Sequence, residues 1–180
     1  MHEWNVVITV REDGFRDAID LLEDFGPISR TDYFNVLVMQ VADWRYMLER
    51  LSKESAEDPR IANTLAKVVP AHHVFDFHSP EEFETKAKEI ALKLASALVG
   101  KKFHVRMHRR GFKGRLKSME EERFLDRIIL EELGQSGFSG EITFENPDAV
   151  LAIETVGQRA GISLWNREEL ERYPLLGLVK

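Results

Sequence analysis

Apolar and polar positions alternate along the first part of the chain in patterns that predict strands and helices in turn. The β-branched run WNVVITV, residues 4–10, predicts a strand. Apolar residues at helical spacing in GFRDAIDLLEDF, residues 14–25, predict a helix that Gly26-Pro27 ends. The following run ISRTDYFNVLVMQV predicts one short and one longer strand that turn near Asp32. The chain therefore opens on a strand, a helix and a pair of strands.

The same reasoning extends this first unit to residue 78. ADWRYMLERLSKES, residues 42–55, has an apolar face at helical spacing, and HHVFDF, residues 72–77, predicts a closing strand. The resulting order βαββαβ resembles a ferredoxin-like module, a fold that says little about function by itself. We therefore expect a ferredoxin-like N-terminal domain over residues 1–78.

A helix start marks the second unit, which we expect over residues 79–180. SPEE combines Ser79 at the N-cap, a proline suited to the first helical position and Glu82 three residues after the serine, the capping-box pattern. The apolar face of this helix ends at Gly100. KFHVRMH, residues 102–108, then alternates strictly, as expected for a half-buried strand with His104, Arg106 and His108 facing outward.

The segment after this strand predicts a loop and a further helix. RRGFKGRLK, residues 109–117, has two glycines and no apolar period, so it predicts a mobile loop. Ser118 and Glu121 form a second capping-box pattern at the start of the next helix. Beyond the turn GQSGFSG, the strands EITF, AVLAIET and ISLW are expected, separated by ENPD and VGQRAG. The whole chain is therefore predicted to have an α/β fold of the α+β type.

Basic residues are concentrated in one segment of the chain. The chain has 25 basic and 31 acidic residues, a net charge of −6, yet residues 100–118 hold eight basic residues and no acidic one. We call residues 100–118 the basic segment. Such segregation costs self-repulsion and attracts an anionic partner.

A phosphate-bearing ligand is the first candidate for that partner. Strand-mounted cations followed by a glycine-hinged loop and a helix N-terminus could supply charge, backbone N–H donors and a favourable dipole together. Phe112 could add a stacking surface for an unpaired base, or it could be a buried anchor for the loop. The predicted RNA-binding residues are Lys101, Lys102, His104, Arg106, His108, Arg109, Arg110, Phe112, Lys113, Arg115 and Lys117.

Composition and motifs limit the other classes of function. The absence of cysteine excludes disulfides, thiolate metal sites and thiol nucleophiles, and fits a reducing compartment. No apolar run is long enough to span a bilayer, and the N-terminus lacks the pattern of a signal peptide, so we expect a cytoplasmic protein. The motifs of nucleotide and dinucleotide cradles are absent, and we expect no cofactor.

Two alternatives to RNA binding remain open. His72, Asp76 and His78 would share one face of a strand and could ligate a metal ion in a small metal-dependent or acid–base enzyme acting on RNA. The basic segment could instead dock on an acidic protein. Strand-end histidines are commonly ordinary surface residues, which weakens the first alternative.

The order of features from residue 79 onward resembles a THUMP domain, an RNA-binding module of tRNA-modifying proteins. The resemblance is carried by the amphipathic helix, the strand KFHVRMHRR, the capped helix KSMEEERFLDRII and ITFENPDAVLAIETVGQRAGISLW, in which NPD between two strands is the most recognisable part. It covers about the last hundred residues. Ferredoxin-like domains often precede THUMP domains in such proteins, which fits residues 1–78.

The resemblance implies a role in RNA delivery. Related proteins usually attach a catalytic domain, which we do not expect after Lys180, so the chain is similar to the stand-alone adaptor that presents tRNA to a cytidine-acetylating enzyme. The resemblance implies a non-enzymatic protein that binds tRNA near its acceptor end for a separate tRNA-modifying enzyme. The RNA-facing strand and loop of the family fall on Lys102, His104, Arg106, His108, Arg109 and Arg110.

Overall fold

The computed structural model describes residues 3–179, which divide into two compact units. The first unit comprises residues up to 71 together with residues 170–178, and the second comprises residues 72–169. In chain order the elements are β1 (Val6–Val10), α1 (Phe15–Leu22), β2 (Ile28–Arg30), β3 (Val36–Met39), α2 (Trp44–Glu54), α3 (Pro59–Thr64), β4 (Leu65–Pro70), β5 (His73–Asp76), α4 (Pro80–Leu94), β6 (Lys102–His108), α5 (Ser118–Gln135), β7 (Glu141–Ile142), β8 (Ala149–Val156), β9 (Arg159–Asn166) and α6 (Arg167–Arg172).

The first unit is built on a four-stranded sheet in the order β2-β3-β1-β4, with every neighbouring pair antiparallel. β1 lies inside this sheet, and its run of β-branched residues is almost fully buried, as a strand covered on both faces requires. If α2 and α3 are taken together, the element order is the predicted βαββαβ. The mixed α/β fold class expected from the sequence is confirmed.

The closing strand of the first sheet differs from the prediction. It is β4, where Val68 and Val69 pair with Ile8 and Val7 of β1, whereas HHVFDF lies in the other sheet. β4 gives a weak sequence signal because its apolar and polar residues do not alternate strictly and because it ends on Pro70, a residue confined to strand ends and edges. A second, shorter helix, α3, lies between α2 and this strand.

The predicted domain limits of 1–78 and 79–180 also differ from the two compact units at both ends. β5 pairs with β9 from His73 opposite Ile162 to Asp76 opposite Arg159, so residues 72–78 lie with the second unit. The C-terminal residues 170–178 lie with the first unit, where a 3₁₀ turn at Pro174–Leu176 packs on β4. Both differences come from contacts between residues far apart in sequence, which a local composition change does not reveal.

The second unit is a five-stranded sheet in the order β5-β9-β8-β6-β7. β6 runs parallel to β8 and β7, whereas β9 is antiparallel to both β8 and β5. Helices α4 and α5 pack on each other, and their apolar residues share a core with one face of the sheet. That core includes Phe77, Phe83, Phe103, Val105, Met107, Leu125, Ile129, Leu151, Ile153 and Ile162.

The two capping-box patterns behave differently. At α4, the Ser79 Oγ accepts a hydrogen bond from the Glu82 N–H at 3.1 Å, while the Glu82 carboxylate accepts from the His78 N–H at 2.9 Å. At α5, Lys117 occupies the N-cap and Ser118 is already the first helical residue. The second predicted capping box is therefore wrong, because the Glu121 carboxyl is buried beside Glu84 instead of turning back to the chain.

No helix within residues 3–179 could cross a bilayer.

Candidate nucleic-acid interface

β6 carries the first half of the basic segment, and its two faces have different environments. Phe103, Val105 and Met107 are buried on the helix-side face, the face of the sheet that α4 and α5 cover. The alternate residues lie on the opposite face, which is defined on β6 by Lys102, His104, Arg106 and His108. The predicted alternation is confirmed, and it fixes which cations share a surface.

On the opposite face, only part of the predicted set faces water. Lys102 and Arg106 are exposed, whereas His104 is 5% exposed and its Nδ1 lies 2.9 Å from the Thr143 carbonyl oxygen. Burial lowers the pKa of His104, and the nearby positive charge of Arg106 lowers it further. The neutral imidazole is therefore favoured, so His104 supports the surface instead of adding a charge to it.

His108 and Arg110 converge on one buried carboxylate. Their Nδ1 and Nη1 atoms lie 3.2 Å and 2.5 Å from the two carboxylate oxygens of Glu154, which is 3% exposed. Burial opposes ionisation of Glu154, but the contacts with His108 and Arg110 outweigh it and hold its pKa below the ordinary value. The Arg110 charge is thus partly neutralised inside the protein, and His108 contacts the same carboxylate, unlike Lys102 and Arg106.

The start of the loop after β6, which the sequence predicts to be mobile, forms several hydrogen bonds. The Arg110 N–H donates to Thr155 Oγ1 at 3.0 Å, and the Arg110 carbonyl accepts from the Gly157 N–H at 2.8 Å. The Arg109 guanidinium donates to the Gly111 carbonyl. The two Arg110 bonds tie the start of the loop to the end of β8, so the chain loses less entropy there on binding.

Phe112 anchors the middle of this loop. Its ring lies 5.0 Å from that of Phe77 and packs on the core of the second unit, with the Arg115 guanidinium 5.1 Å from the ring centroid. The Arg115 and Leu116 N–H groups both donate to the Phe112 carbonyl at 2.9 Å, and Leu116 is 1% exposed. Of the two roles considered for Phe112, the geometry matches the anchor.

The remaining predicted cations are exposed at the two ends of β6. Lys101 precedes β6, and Lys113, Arg115 and Lys117 follow it; all four are exposed. Lys117 lies 3.1 Å from Glu120, but both side chains are more than 60% exposed, so this pair contributes little. Six of the predicted cations are therefore exposed: Lys101, Lys102, Arg106, Lys113, Arg115 and Lys117.

Two acidic side chains of α5 complete the edge of β6, an arrangement that the sequence did not reveal. β7 pairs only with Lys102 and Phe103, so the next backbone donors on that edge need other partners. Asp126 accepts from the Val105 N–H at 3.0 Å, and Glu122 accepts from the Met107 N–H at 2.8 Å. Burial raises the pKa of Asp126 to about 7.

The NPD turn is held by a network around Asp148. Its Oδ2 accepts from the Lys102 N–H at 2.9 Å, and its Oδ1 lies 2.7 Å from Arg167 Nη2, which also donates to the Asn146 carbonyl. The Lys102 N–H bond and the charge of Arg167 lower the pKa of Asp148. The aspartate of this motif therefore holds the turn against the start of β6.

Phe144 lies in the same turn and is a surface residue that the sequence analysis missed. Its side chain is 71% exposed, and its ring centroid lies 5.1 Å from that of His104. The sequence signal was present only as a phenylalanine beside turn-forming residues, which the prediction assigned to the strand EITF. β7 in fact ends at Ile142, which releases Phe144 from the sheet.

The alternative metal-site residues lie in separate environments. His72 Nδ1 accepts from the Leu164 N–H at 3.2 Å, and its ring lies 4.9 Å from that of Trp165. Asp76 pairs with Arg159 at 3.2 Å, and His78 lies 3.3 Å from Glu82. Within the described residues, no cluster of three or more His, Asp or Glu side chains is arranged to hold a metal ion.

Comparison of the structure with solved proteins finds likeness over most of this chain. PH1313 from Pyrococcus horikoshii matches 91% of the chain with a TM-score of 0.58 and 15% identity, over 54% of its own length. TrmN from Thermus thermophilus matches 91% with a TM-score of 0.60 and 18% identity, over 45% of its length. A 4-thiouridine synthetase solved with RNA and bound ATP matches 91% with a TM-score of 0.55 and 16% identity, over 41% of its length.

At these identities the likeness shows the fold alone. This chain spans about half the length of the solved proteins it matches. No family model and no curated protein sequence matches the chain. The fold fits the THUMP type that the order of sequence features predicted.

Proposed function

We propose that this chain binds structured RNA, specifically tRNA near its acceptor end, and presents it to a separate tRNA-modifying enzyme. The observation that carries the proposal is the exposed group of cations around β6 and its loop, inside a chain whose net charge is negative. Phosphate contacts dominate the affinity of proteins for nucleic acids, and cations on an ordered scaffold make them at low entropic cost.

The fold adds independent support. One of the solved proteins with this fold is a 4-thiouridine synthetase in complex with RNA, and its likeness extends over 91% of this chain. The choice of tRNA, the delivery role and cytidine acetylation as one possible modification rest on the sequence resemblance to the stand-alone adaptor. The acidic remainder of the chain is available to a basic partner enzyme.

The test compares two double variants whose exposed cations lie on different elements of the same unit. Lys102→Ala/Arg106→Ala removes charges of β6, and Arg123→Ala/Arg127→Ala removes two exposed charges of α5, which packs on the helix-side face. We expect the first variant to weaken tRNA binding by roughly 1–3 kcal/mol. The slope of log affinity against log salt concentration should flatten by about 0.7–0.9 for each phosphate that the variant no longer neutralises.

Circular dichroism of both variants checks that they fold. Equal losses of affinity in the two variants would show only the general effect of net charge, and would contradict an interface at β6. Tight binding of an acidic protein by a chain that does not bind tRNA would favour a protein-docking role. A modified nucleoside formed by the chain alone from tRNA and a group donor would contradict the delivery role.

A further inference from the structure

We propose that Phe144 is a stacking platform for one unpaired base of the bound RNA, with Lys102 and Arg106 placed to hold the phosphates beside that base. The inference rests on the proposed function and deepens it, since it names the kind of nucleotide that the surface takes. It also moves the stacking role from Phe112, whose ring packs on Phe77, to a residue on the opposite face.

The exposure of Phe144 is the first observation. Its ring is 71% exposed on a chain segment whose neighbours are otherwise polar, Thr143 and Glu145. One flank of the ring lies against the imidazole of His104, at 5.1 Å between centroids and 45° between planes. His104 is buried and favours the neutral form. Its imidazole therefore supports the Phe144 ring from below and does not attract the RNA phosphates away from Lys102 and Arg106.

The charges around the ring are the second observation. His104 lies between Lys102 and Arg106 on one face of β6, and both cations are exposed. At about 3.3 Å per residue, the backbones of Lys102 and Arg106 are about 13 Å apart. An aromatic ring beside exposed cations is the combination by which proteins bind single-stranded nucleic acid, because bases stack on the ring and phosphates pair with the charges. An apolar protein partner would not require those flanking charges.

The rigidity of the platform is the third observation. Thr143, the residue before Phe144, donates its N–H to the Phe103 carbonyl at 2.9 Å, and its carbonyl lies 2.9 Å from His104 Nδ1. After it, the Glu145 N–H donates to Thr143 Oγ1 at 3.3 Å. The ring is thus carried by a backbone already fixed against β6, so stacking a base requires little ordering of the protein.

The experiment uses an RNA hairpin with a single-stranded 3′ extension of about four nucleotides and the same hairpin with a blunt end. Phe144→Ala should lower the affinity for the extended hairpin about 5- to 150-fold, the range of one base-stacking contact. Affinity for the blunt hairpin should stay close to that of the wild type. Phe144→Tyr should retain binding to the extended hairpin, whereas Phe144→Leu should not, since leucine keeps apolar area without a π face.

Phe138→Ala is the matched control, because Phe138 is also exposed, at 54%, in another loop of the same unit. It should leave both affinities unchanged. The wild type could bind both hairpins while Phe144→Ala loses affinity for the two equally, or loses none. Either result would overturn the stacking role of Phe144 and leave the proposed function standing. Failure of the wild type to bind either hairpin would overturn both.

Discussion

Glu154 has almost no contact with water, yet two basic side chains of the basic segment reach it. His108 and Arg110 lie 3.2 Å and 2.5 Å from its carboxylate oxygens, and burial would raise the pKa of Glu154 but these contacts hold it below its ordinary value. Removal of one member of such a buried group would leave an uncompensated charge, which costs more than the pair contributes. At the scale of single residues, the basic segment therefore contains both structural cations and exposed ones.

The pKa of a second buried carboxyl is shifted in the opposite direction. Glu121 of α5 is 5% exposed, and its pKa is raised to about 8 by burial and by the neighbouring carboxyl of Glu84. The folded chain therefore binds this proton more tightly than the unfolded chain, whose ordinary pKa is 4.5. The corresponding stability is fully present below about pH 4.5 and is lost as pH rises through about 8.

We therefore expect Glu121→Gln to remove this pH dependence. Between pH 5 and pH 8, as an order of magnitude, the free energy of unfolding of the wild type should fall relative to that of the variant by at least about 1.4 kcal/mol, the value of one pKa unit. Urea unfolding at several pH values measures it. His104, with its lowered pKa, contributes an opposite slope in both proteins, so the difference between the two curves isolates Glu121. Parallel curves would mean that Glu121 is ionised in the folded protein.

The helices show how an identical local pattern can have two outcomes. The starts of α4 and α5 each have a serine with a glutamate three residues after it, but of these two serines only Ser79 caps its helix. At α5 the glutamate side chain is buried beside α4, and the helix begins one residue earlier than the pattern predicts. Packing between the helices thus overrides a capping preference worth about 1 kcal/mol.

This difference can be measured with a pair of serine substitutions. Ser79→Ala should lower the free energy of unfolding of the second unit by about 1 kcal/mol, within the 0.5–2 range of lost N-caps. Ser118→Ala should change it by no more than about 0.5 kcal/mol, as expected for a surface substitution that removes no cap. Urea unfolding of both variants provides the measurement, since both helices lie in the same unit. Equal losses would mean that Ser118 also caps its helix.

At the scale of the whole molecule, the first unit is discontinuous in sequence. Leu176 and Tyr173 are buried although they lie about a hundred residues beyond β4, the strand on which the Pro174–Leu176 turn packs. Gly177 adopts a φ of 61°, and a Cβ there would lie 2.8 Å from Lys67 Cγ. The chain thus returns to its first unit after completing the second sheet.

Leu176→Ala should therefore destabilise the first unit. A buried leucine truncated to alanine costs about 2–5 kcal/mol, and the loss should lower the hydrogen-exchange protection of the β4 amides. Leu175→Ala is the control, because Leu175 lies in the same turn but is only half-buried, so a smaller loss is expected. Unchanged protection over residues 65–70 in Leu176→Ala would contradict a structural role for the C-terminal segment.

Local sequence was sufficient for the elements whose signals are short in range. The alternation in β6 and the Ser79 cap depend on consecutive residues, and the structure confirms both. The concentration of basic residues in residues 100–118 is likewise evident from composition alone. β4, by contrast, was missed because its local strand signal is weak. The strand forms through its pairing with β1, which is distant in sequence.

The α+β class, the alternating face of β6 and the position of the basic segment could be predicted from the sequence, because periodicity, capping and charge are properties of neighbouring residues. Which of those side chains are exposed to water depends on how the chain folds. Phe112 is packed on Phe77, Phe144 is exposed on His104, and Arg110 reaches Glu154, each through a contact between residues that are distant in sequence. Burial depends on such long-range packing, and no local pattern in the sequence reveals it.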